Sequence, residues 1–139
     1  MKIASVGLLS VVSLLCGITQ AADLDITLTD IRAAKGTLMI AVVDSAAAWD
    51  DQAVAVAGST RKATGAQEMF HFSNLPPGTY AAKVMHDEND NGKLDTNFMG
   101  MPIEGYGFSN NPQLLRKPTF DEAKFDLGAG GGAITIHLR

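Results

Sequence analysis

The stretch from Phe70 to Val84 reads FHFSNLPPGTYAAKV, and it carries the clearest fold signal in the 139-residue chain. Its two phenylalanines alternate with polar residues, which is the period of a strand with one buried face. Pro77 fixes φ, and Gly78 can supply the positive φ that a type II turn requires next. Tyr80 and the apolar residues at every second position after it predict a returning strand. The stretch therefore predicts a hairpin-like pair of strands joined by a proline-stiffened corner.

Other segments share this alternation and predict further strands, at 24–28, 36–42, 53–57, 120–127 and 134–138. The first two flank the polar residues 32–35, so we expect them to pair as antiparallel neighbours. Residues 45–52 predict one or two helical turns around Trp49 with Ser45 as the N-cap. Residues 58–65 are expected to form an exposed loop.

These segments add up to about seven short strands with little helical pattern and no internal repeat. That combination predicts an all-β fold, a single Greek-key β-sandwich. Residues 87–112 are rich in Asp, Asn and Gly but also contain Phe, Met, Ile and Tyr. Because this apolar content is too high for simple disorder, we expect one long ordered loop that folds back on the sandwich.

The N-terminus predicts export. Lys2 precedes an apolar stretch over 3–18 that is shorter than a membrane-spanning helix, and Ala21 ends a small-residue cleavage site. We therefore expect a signal peptide over 1–21 and a β-sandwich domain over 22–139, located in the periplasm or outside the cell. No stable membrane insertion is expected after cleavage. Cys16 leaves with the signal peptide, so the mature domain has no disulfide and no cysteine-based metal site.

Charge and composition limit the partners. The formal net charge is −4, and it becomes more negative when Lys2 is removed. An acidic domain without a basic run argues against nucleic acid and against anionic membrane surfaces. The remaining partner classes are a protein, a peptide or a small ligand.

The most informative polar segment begins at Asp87 and reads DENDNGKLD. Oxygen-bearing side chains fall at positions 1, 3, 5 and 9, a glycine at position 6 and an available backbone carbonyl at position 7, as in an EF-hand calcium loop. The predicted calcium ligands are Asp87, Asn89, Asn91, Lys93 through its carbonyl, and Asp95. Position 12 is Phe98 instead of a bidentate acid, so Glu104 would have to complete the site and binding would be weak.

Two metal-free hypotheses remain open beside the calcium site. The segment can be an Asx-rich turn without an ion, and a groove near the aromatic residues that follow it can bind a ligand or a peptide. The candidate ligand-binding residues are Glu104, Tyr106, Phe108, Ser109 and Asn110.

Catalysis has little support in the sequence. The histidines His71, His86 and His137 are expected to be exposed at strand faces or ends, with no spacing that indicates a shared metal. A hydrolase using the carboxylates of Asp87 and Glu104 is the alternative if the domain is an enzyme. We expect a non-catalytic module.

The corner motif LPPG between two alternating segments resembles transthyretin-like, Cna protein B-like and carboxypeptidase-regulatory-like sandwiches. Residues 86–95 (HDENDNGKLD) and 100–111 (GMPIEGYGFSNN) are more specific. Together they resemble the exported bacterial family known as domain of unknown function 2141, over about residues 24–138. This resemblance implies a sandwich fold and an exported protein, and it draws attention to the loop at 86–111. It implies no activity.

Overall fold

The computed structural model describes residues 20–139, which form eight strands and two short helices. The strands are β1 (Ala22–Thr29), β2 (Thr37–Val43), β3 (Ala57–Lys62), β4 (Glu68–Leu75), β5 (Gly78–Asp87), β6 (Gly105–Phe108), β7 (Phe125–Leu127) and β8 (Gly132–His137). The helices are α1 (Ala46–Trp49) and α2 (Phe120–Ala123), and α1 has the expected Ser45 cap. The predicted signal peptide lies outside the described residues, apart from its last two positions.

The strands form two sheets, which confirms the predicted all-β sandwich. The three-stranded sheet has the order β4-β1-β8, in which β1 runs antiparallel to β4 and parallel to β8. The five-stranded sheet has the order β3-β2-β5-β6, and β7 pairs with the start of β5. Neither helix of residues 20–139 is long and apolar enough to cross a membrane.

The core lies between the two sheets and follows the period-two pattern. On β1 the residues Leu24, Ile26 and Leu28 are fully buried, and they face Leu38 and Val42 of β2 across the sandwich. The other strands contribute the rest of the core, chiefly Phe70, Phe72, Tyr80, Val84, Leu127 and Ile136. Burial of this apolar surface is the main force that holds the sheets together.

The predicted pairing of the first two strands is wrong. Both edges of β1 are occupied by β4 and β8, so β2 lies in the opposite sheet. The connection between β1 and β2 is too long for a tight hairpin. It also buries Ile31, whose backbone N–H donates to the Ala66 carbonyl oxygen at 3.2 Å. Through these contacts the connection crosses from the three-stranded sheet to the five-stranded sheet at the edge of the sandwich.

The predicted hairpin at the proline corner is also wrong in its pairing, because β4 and β5 belong to different sheets. The corner is closed by Tyr80, whose hydroxyl donates to the Pro76 carbonyl oxygen at 2.5 Å. The left-handed residue of the corner is Asn74, with φ 62°. Gly78 is already the first residue of β5 and pairs with Leu127, so it is extended and no type II turn forms.

Three other boundaries differ from prediction. The strand expected at 53–57 lies at Ala57–Lys62, so the loop expected at 58–65 is wrong for its first five residues. This polar segment forms the edge strand beside β2. The segment 120–127 begins with α2, whose N-terminus has a capping box formed by Thr119 and Glu122. Only the last three residues of the segment form β7. The long loop contains β6, which adds the eighth strand.

The outer edge of β8 is closed by one side chain. The Asn111 Nδ2 atom donates to the Thr135 carbonyl oxygen at 2.9 Å, and its Oδ1 accepts from the His137 backbone N–H at 2.8 Å. Its amide thus occupies the place of a neighbouring strand's peptide group. This contact satisfies edge groups that would otherwise be open to another chain.

Candidate functional site

The loop that follows β5 is organised around the carboxylate of Asp87. This side chain is buried, and its two oxygens accept the backbone N–H groups of Asn91 at 3.1 Å and Gly92 at 2.7 Å. Gly92 has φ 85°, the left-handed conformation that lets the chain reverse here. The first position of the predicted calcium loop therefore folds inward and stabilises the turn.

Asp95 lies on the other side of the same turn. Its carboxylate accepts from the Asn89 side-chain amide at 2.5 Å and from the Asn91 side-chain amide at 2.8 and 2.9 Å. The hydrogen bonds from Asn91, and to a lesser extent the one from Asn89, hold the pKa of Asp95 below its usual value. The two asparagines therefore aim their nitrogen atoms at Asp95, and their oxygens accept backbone N–H groups within the loop.

Glu104 closes the loop from its far end. Its Oε1 accepts the backbone N–H groups of Glu88 at 2.9 Å and Asn89 at 3.3 Å, and its Oε2 accepts that of Asp95 at 2.9 Å. The side chain is buried. Glu104 thereby ties the beginning and the middle of the loop to the start of β6.

The oxygen atoms predicted to bind calcium are thus gathered on one turn, and most of them already accept hydrogen bonds. Residues 20–139 contain no group of three or more His, Cys, Asp or Glu side chains placed to hold a metal ion. Calcium would need both asparagine amides to rotate by half a turn, so that their oxygens join Asp87 and Asp95. The calcium prediction stays a prediction.

The expectation that all three histidines are exposed is wrong for His86. Its side chain is fully buried, and its Nε2 lies 2.8 Å from the Lys35 carbonyl oxygen. It lies on the core side of β5, because the strand continues three residues beyond Val84, where the predicted period-two segment ends. His71 and His137 are exposed.

A groove lies on the solvent side of the five-stranded sheet. Met39, Met85 and Tyr106 form one row of strand partners across its floor. Ala41, Lys83 and Phe108 form the next row. The cavity above these rows encloses about 670 Å³, within the range of small-molecule sites. Its walls come from two loops, represented by Leu94, Met101 and Pro102 on one and by Leu115, Arg116 and Lys117 on the other.

The second wall is attached to the sheet through Trp49. The Trp49 Nε1 donates to the Pro118 carbonyl oxygen at 2.8 Å, and its ring lies 5.7 Å from that of Phe108. The carbonyl oxygen of Trp49 accepts from two ammonium groups, Lys83 Nζ and Lys117 Nζ, each at 2.9 Å. One end of the groove therefore contains two ammonium groups, with the carboxylates of Asp51 and Asp50 beside them.

The first wall ends in a hydrogen-bonded turn. The Asn97 side chain accepts the backbone N–H groups of Met99 at 2.9 Å and Met101 at 3.1 Å. The tip presents Phe98, which is 98% exposed, and Leu115 on the opposite wall is 95% exposed. Leu115 therefore gives the groove an apolar side chain open to solvent, whereas Phe98 lies at the tip of the loop and does not line the groove.

A family model described as uncharacterized protein conserved in bacteria (DUF2141) matches residues 26–135. The chain belongs to this family. The match covers most of the chain and confirms the resemblance to this family drawn from the two loop motifs. The resemblance of the corner motif to transthyretin-like sandwiches stays a prediction. No curated protein and no solved structure matches this DUF2141 chain.

The DUF2141 domain separates the predicted ligand-binding residues into two groups. Tyr106 and Phe108 lie on the floor of the groove. Ser109 is buried, and its Oγ donates to the Ala123 carbonyl oxygen at 2.5 Å. The Asn110 side chain donates to the Lys124 carbonyl oxygen at 2.6 Å. Ser109, Asn110 and Glu104 therefore hold the fold of the domain around the groove and do not line it.

Sequence reasoning missed most of the groove in this DUF2141 domain. Met39, Ala41 and Met85 occupy the outward positions of β2 and β5, where a sheet facing only water would have polar residues. Apolar residues on both faces of these strands were the available signal. The basic residues Lys83 and Lys117 gave none, because α1 brings them together from distant positions in the chain.

Proposed function

We propose that this DUF2141 domain is an exported, non-catalytic binding module that takes a small, largely apolar ligand in the groove over the five-stranded sheet. The observation that carries the proposal is the apolar floor made by Met39, Met85, Tyr106 and Phe108 on a face turned to solvent. Exposed apolar surface of this kind, rimmed by polar groups, is typical of binding sites.

The non-catalytic part is supported by the state of the two carboxylates considered for hydrolysis. Asp87 and Glu104 both use their oxygens to accept backbone N–H groups of the loop. A general acid or base needs a free position within hydrogen-bond distance of a substrate. Both carboxylates are buried and face the turn, so they are better suited to holding the loop.

The groove is tested by filling it. Ala41 is a half-buried floor residue on β2, and Ala41→Trp would occupy the space above the floor. We expect this variant to bind an uncharged polarity-sensitive dye at least about tenfold more weakly than the wild type. Ala133→Trp is the matched control, because Ala133 is exposed on the outer face of the other sheet.

Both variants should unfold cooperatively near the wild-type temperature. Equal dye binding by wild type, Ala41→Trp and Ala133→Trp would place the dye elsewhere and overturn the groove proposal. Saturable binding lost only in Ala41→Trp supports it.

A calcium ion in the loop 87–95 is the second candidate function, and it would rigidify one wall of the groove. It is favoured by the gathering of Asp87, Asn89, Asn91 and Asp95 around one turn. Lys93 would add its carbonyl oxygen and Glu104 would support the loop. Binding would be weak, with a dissociation constant on the order of 10⁻⁴ to 10⁻³ M.

The loop offers its own control for calcium. Asp90 has the same charge as Asp95, but it points away to Lys62 Nζ at 2.7 Å and Thr37 Oγ1 at 2.6 Å. We expect calcium to raise the melting temperature of the wild type and Asp90→Asn by several degrees and to leave Asp95→Asn unchanged. A calcium effect that persists in Asp95→Asn rules out this site.

Export is tested separately. The proposal places residues 1–21 in a cleaved signal peptide, so the protein recovered from the periplasm or the medium should begin at Ala22. Recovery of the full-length chain from the cytoplasm contradicts this part of the proposal and leaves the groove unaffected.

A further inference from the structure

We propose that the ligand of the groove is an anionic amphiphile, with a carboxylate-like head held by Lys83 and Lys117 and an apolar chain lying over Met39, Met85 and Tyr106. This inference rests on the proposed function and names the chemical class of ligand. It is carried by the distribution of charge along the groove.

The two ammonium groups converge on one neutral acceptor. Each lies 2.9 Å from the Trp49 carbonyl oxygen, so the two nitrogens are separated by no more than twice that distance. They also lie 6.0 Å and 5.4 Å from the centre of the Trp49 ring, which supplies no formal charge. Two cations held this close repel each other unless an anion lies near both. The carboxylate of Asp51 now takes that place, since the hydrogen bond from Lys83 and the charges of Lys83 and Lys117 lower its pKa.

The anions now beside them are exposed and easily displaced. Asp51 lies 2.5 Å from Lys83 Nζ but is 80% exposed, and Asp50 lies 3.5 Å from Lys117 Nζ and is 62% exposed. Exposed ion pairs of this kind contribute little. Lys83 itself is only 21% exposed. A ligand carboxylate could therefore replace the solvent-exposed carboxylate of Asp51 and bridge both ammonium groups.

The third cation of this wall already has a carboxylate partner. Arg116 forms a two-pronged pair with Glu122, with both N···O distances at 2.8 Å. This pairing, together with the hydrogen bonds from Thr119, lowers the pKa of Glu122 to about 2. The charge available to a ligand therefore comes from Lys83 and Lys117.

The apolar part of the groove begins one strand row away. Lys83 and Met85 lie on the same face of β5, two residues apart, which is about 6.6 Å along a strand. Beyond Met85, the wall residues Leu94, Met101 and Pro102 add further uncharged surface. A head at Lys83 would thus place an attached hydrocarbon chain on the apolar rows without burying its charge there.

Three ligands with the same chain length separate the contributions of head and tail: decanoate, decanol and decyltrimethylammonium. We expect calorimetric titration of the mature protein to show decanoate binding at least about tenfold more tightly than decanol, and the cation binding most weakly. Trp49 is the only tryptophan of the chain, so its emission gives a second readout at the basic end.

The lysine and aspartate variants should change the affinity for decanoate in opposite directions. Lys83→Met and Lys117→Met should each remove most of the preference for decanoate over decanol, while Asp51→Asn should tighten decanoate binding severalfold by removing the competing anion. Lys35→Met is the matched control, because Lys35 is an exposed lysine outside the groove. Asp51 is exposed, so its substitution tests the inference even if a lysine variant folds poorly.

The outcomes distinguish this inference from the proposed function. Equal binding of decanoate and decanol, both blocked by Ala41→Trp, keeps the groove and overturns the anionic head. A preference for the cation, or a decanoate preference unchanged in both lysine variants and in Asp51→Asn, also overturns it. Failure of all three ligands and of the uncharged dye to bind overturns the groove as well.

Discussion

The carboxylate of Glu104, directly before β6, accepts the backbone N–H of Asp95 at 2.9 Å in the loop between β5 and β6. Its other oxygen accepts the N–H groups that follow Asp87. One buried side chain therefore fixes three peptide groups of a segment with little regular secondary structure of its own. The shape of the groove wall depends on this contact, because Leu94 and Met101 belong to the same segment.

Replacing Glu104 by glutamine should destabilise the domain by about 1–3 kcal/mol, because the new amide turns a donor toward backbone N–H donors. Urea unfolding measures the loss, and hydrogen exchange at Asp95 should accelerate. Asp121→Asn is the control, since Asp121 is 80% exposed and should change stability by less than about 0.5 kcal/mol. Unchanged stability and exchange in Glu104→Gln would contradict an anchoring role.

Gly36 and Gly92 allow a matched test of backbone crowding. Both have positive φ, 72° and 85°. A Cβ on Gly36 would lie 2.2 Å from the Asp87 carbonyl oxygen, whereas a Cβ on Gly92 would meet no described atom within 4 Å. We expect Gly36→Ala to cost about 3 kcal/mol or more and Gly92→Ala about 1–2 kcal/mol, both from urea unfolding. Equal costs would show that the approach to Asp87 is not tight.

Asn111→Asp tests the closure of the β8 edge. Aspartate can still accept from the His137 N–H, but it cannot donate to the Thr135 carbonyl oxygen. We expect a loss of about 1–3 kcal/mol and earlier aggregation on heating. Asn74→Asp is the control, because Asn74 is exposed and also has positive φ. Equal effects of the two substitutions would argue against the edge role.

His71 should give the domain a small dependence on pH. The hydrogen bond with Asp25, at 2.6 Å, raises the pKa of His71 above its ordinary value of 6.5. The stabilisation is therefore complete below pH 6.5 and is lost as the pH rises through the raised pKa. NMR titration of the ring should show the raised pKa in the wild type and a lower one in Asp25→Asn. The same midpoint in both proteins would contradict the pairing.

The sequence predicted the buried faces better than the pairing of strands. Alternation identifies which residues of β1 are buried, but the same pattern is compatible with many neighbours, so the partners β4 and β8 could not be inferred. β6 was missed because Gly105 and Gly107 have low strand propensity. The fold requires glycine there, since a Cβ on Gly107 would lie 2.7 Å from Ile136 Cγ2.

The candidate site was predicted only in part. Local spacing identified the loop residues from Asp87 to Asp95, because their contacts join residues close in sequence. Tyr106 and Phe108 were recognised as groove candidates from composition alone. Lys83 and Lys117 meet only through Trp49, and a contact between three distant segments leaves no trace in local spacing.

The parallel pairing of β1 with β8 also affects the order in which the domain can fold. β1 is the first strand of the described chain and β8 is the last, and Leu24 pairs with Gly132. Contacts between such distant positions form slowly, because a long loop must close before they contribute. The core therefore lacks Ile136 of β8 until the final strand is in place. For the export proposed above, this slow closure would keep the polypeptide unfolded during its passage across a membrane. The domain would become compact only afterwards.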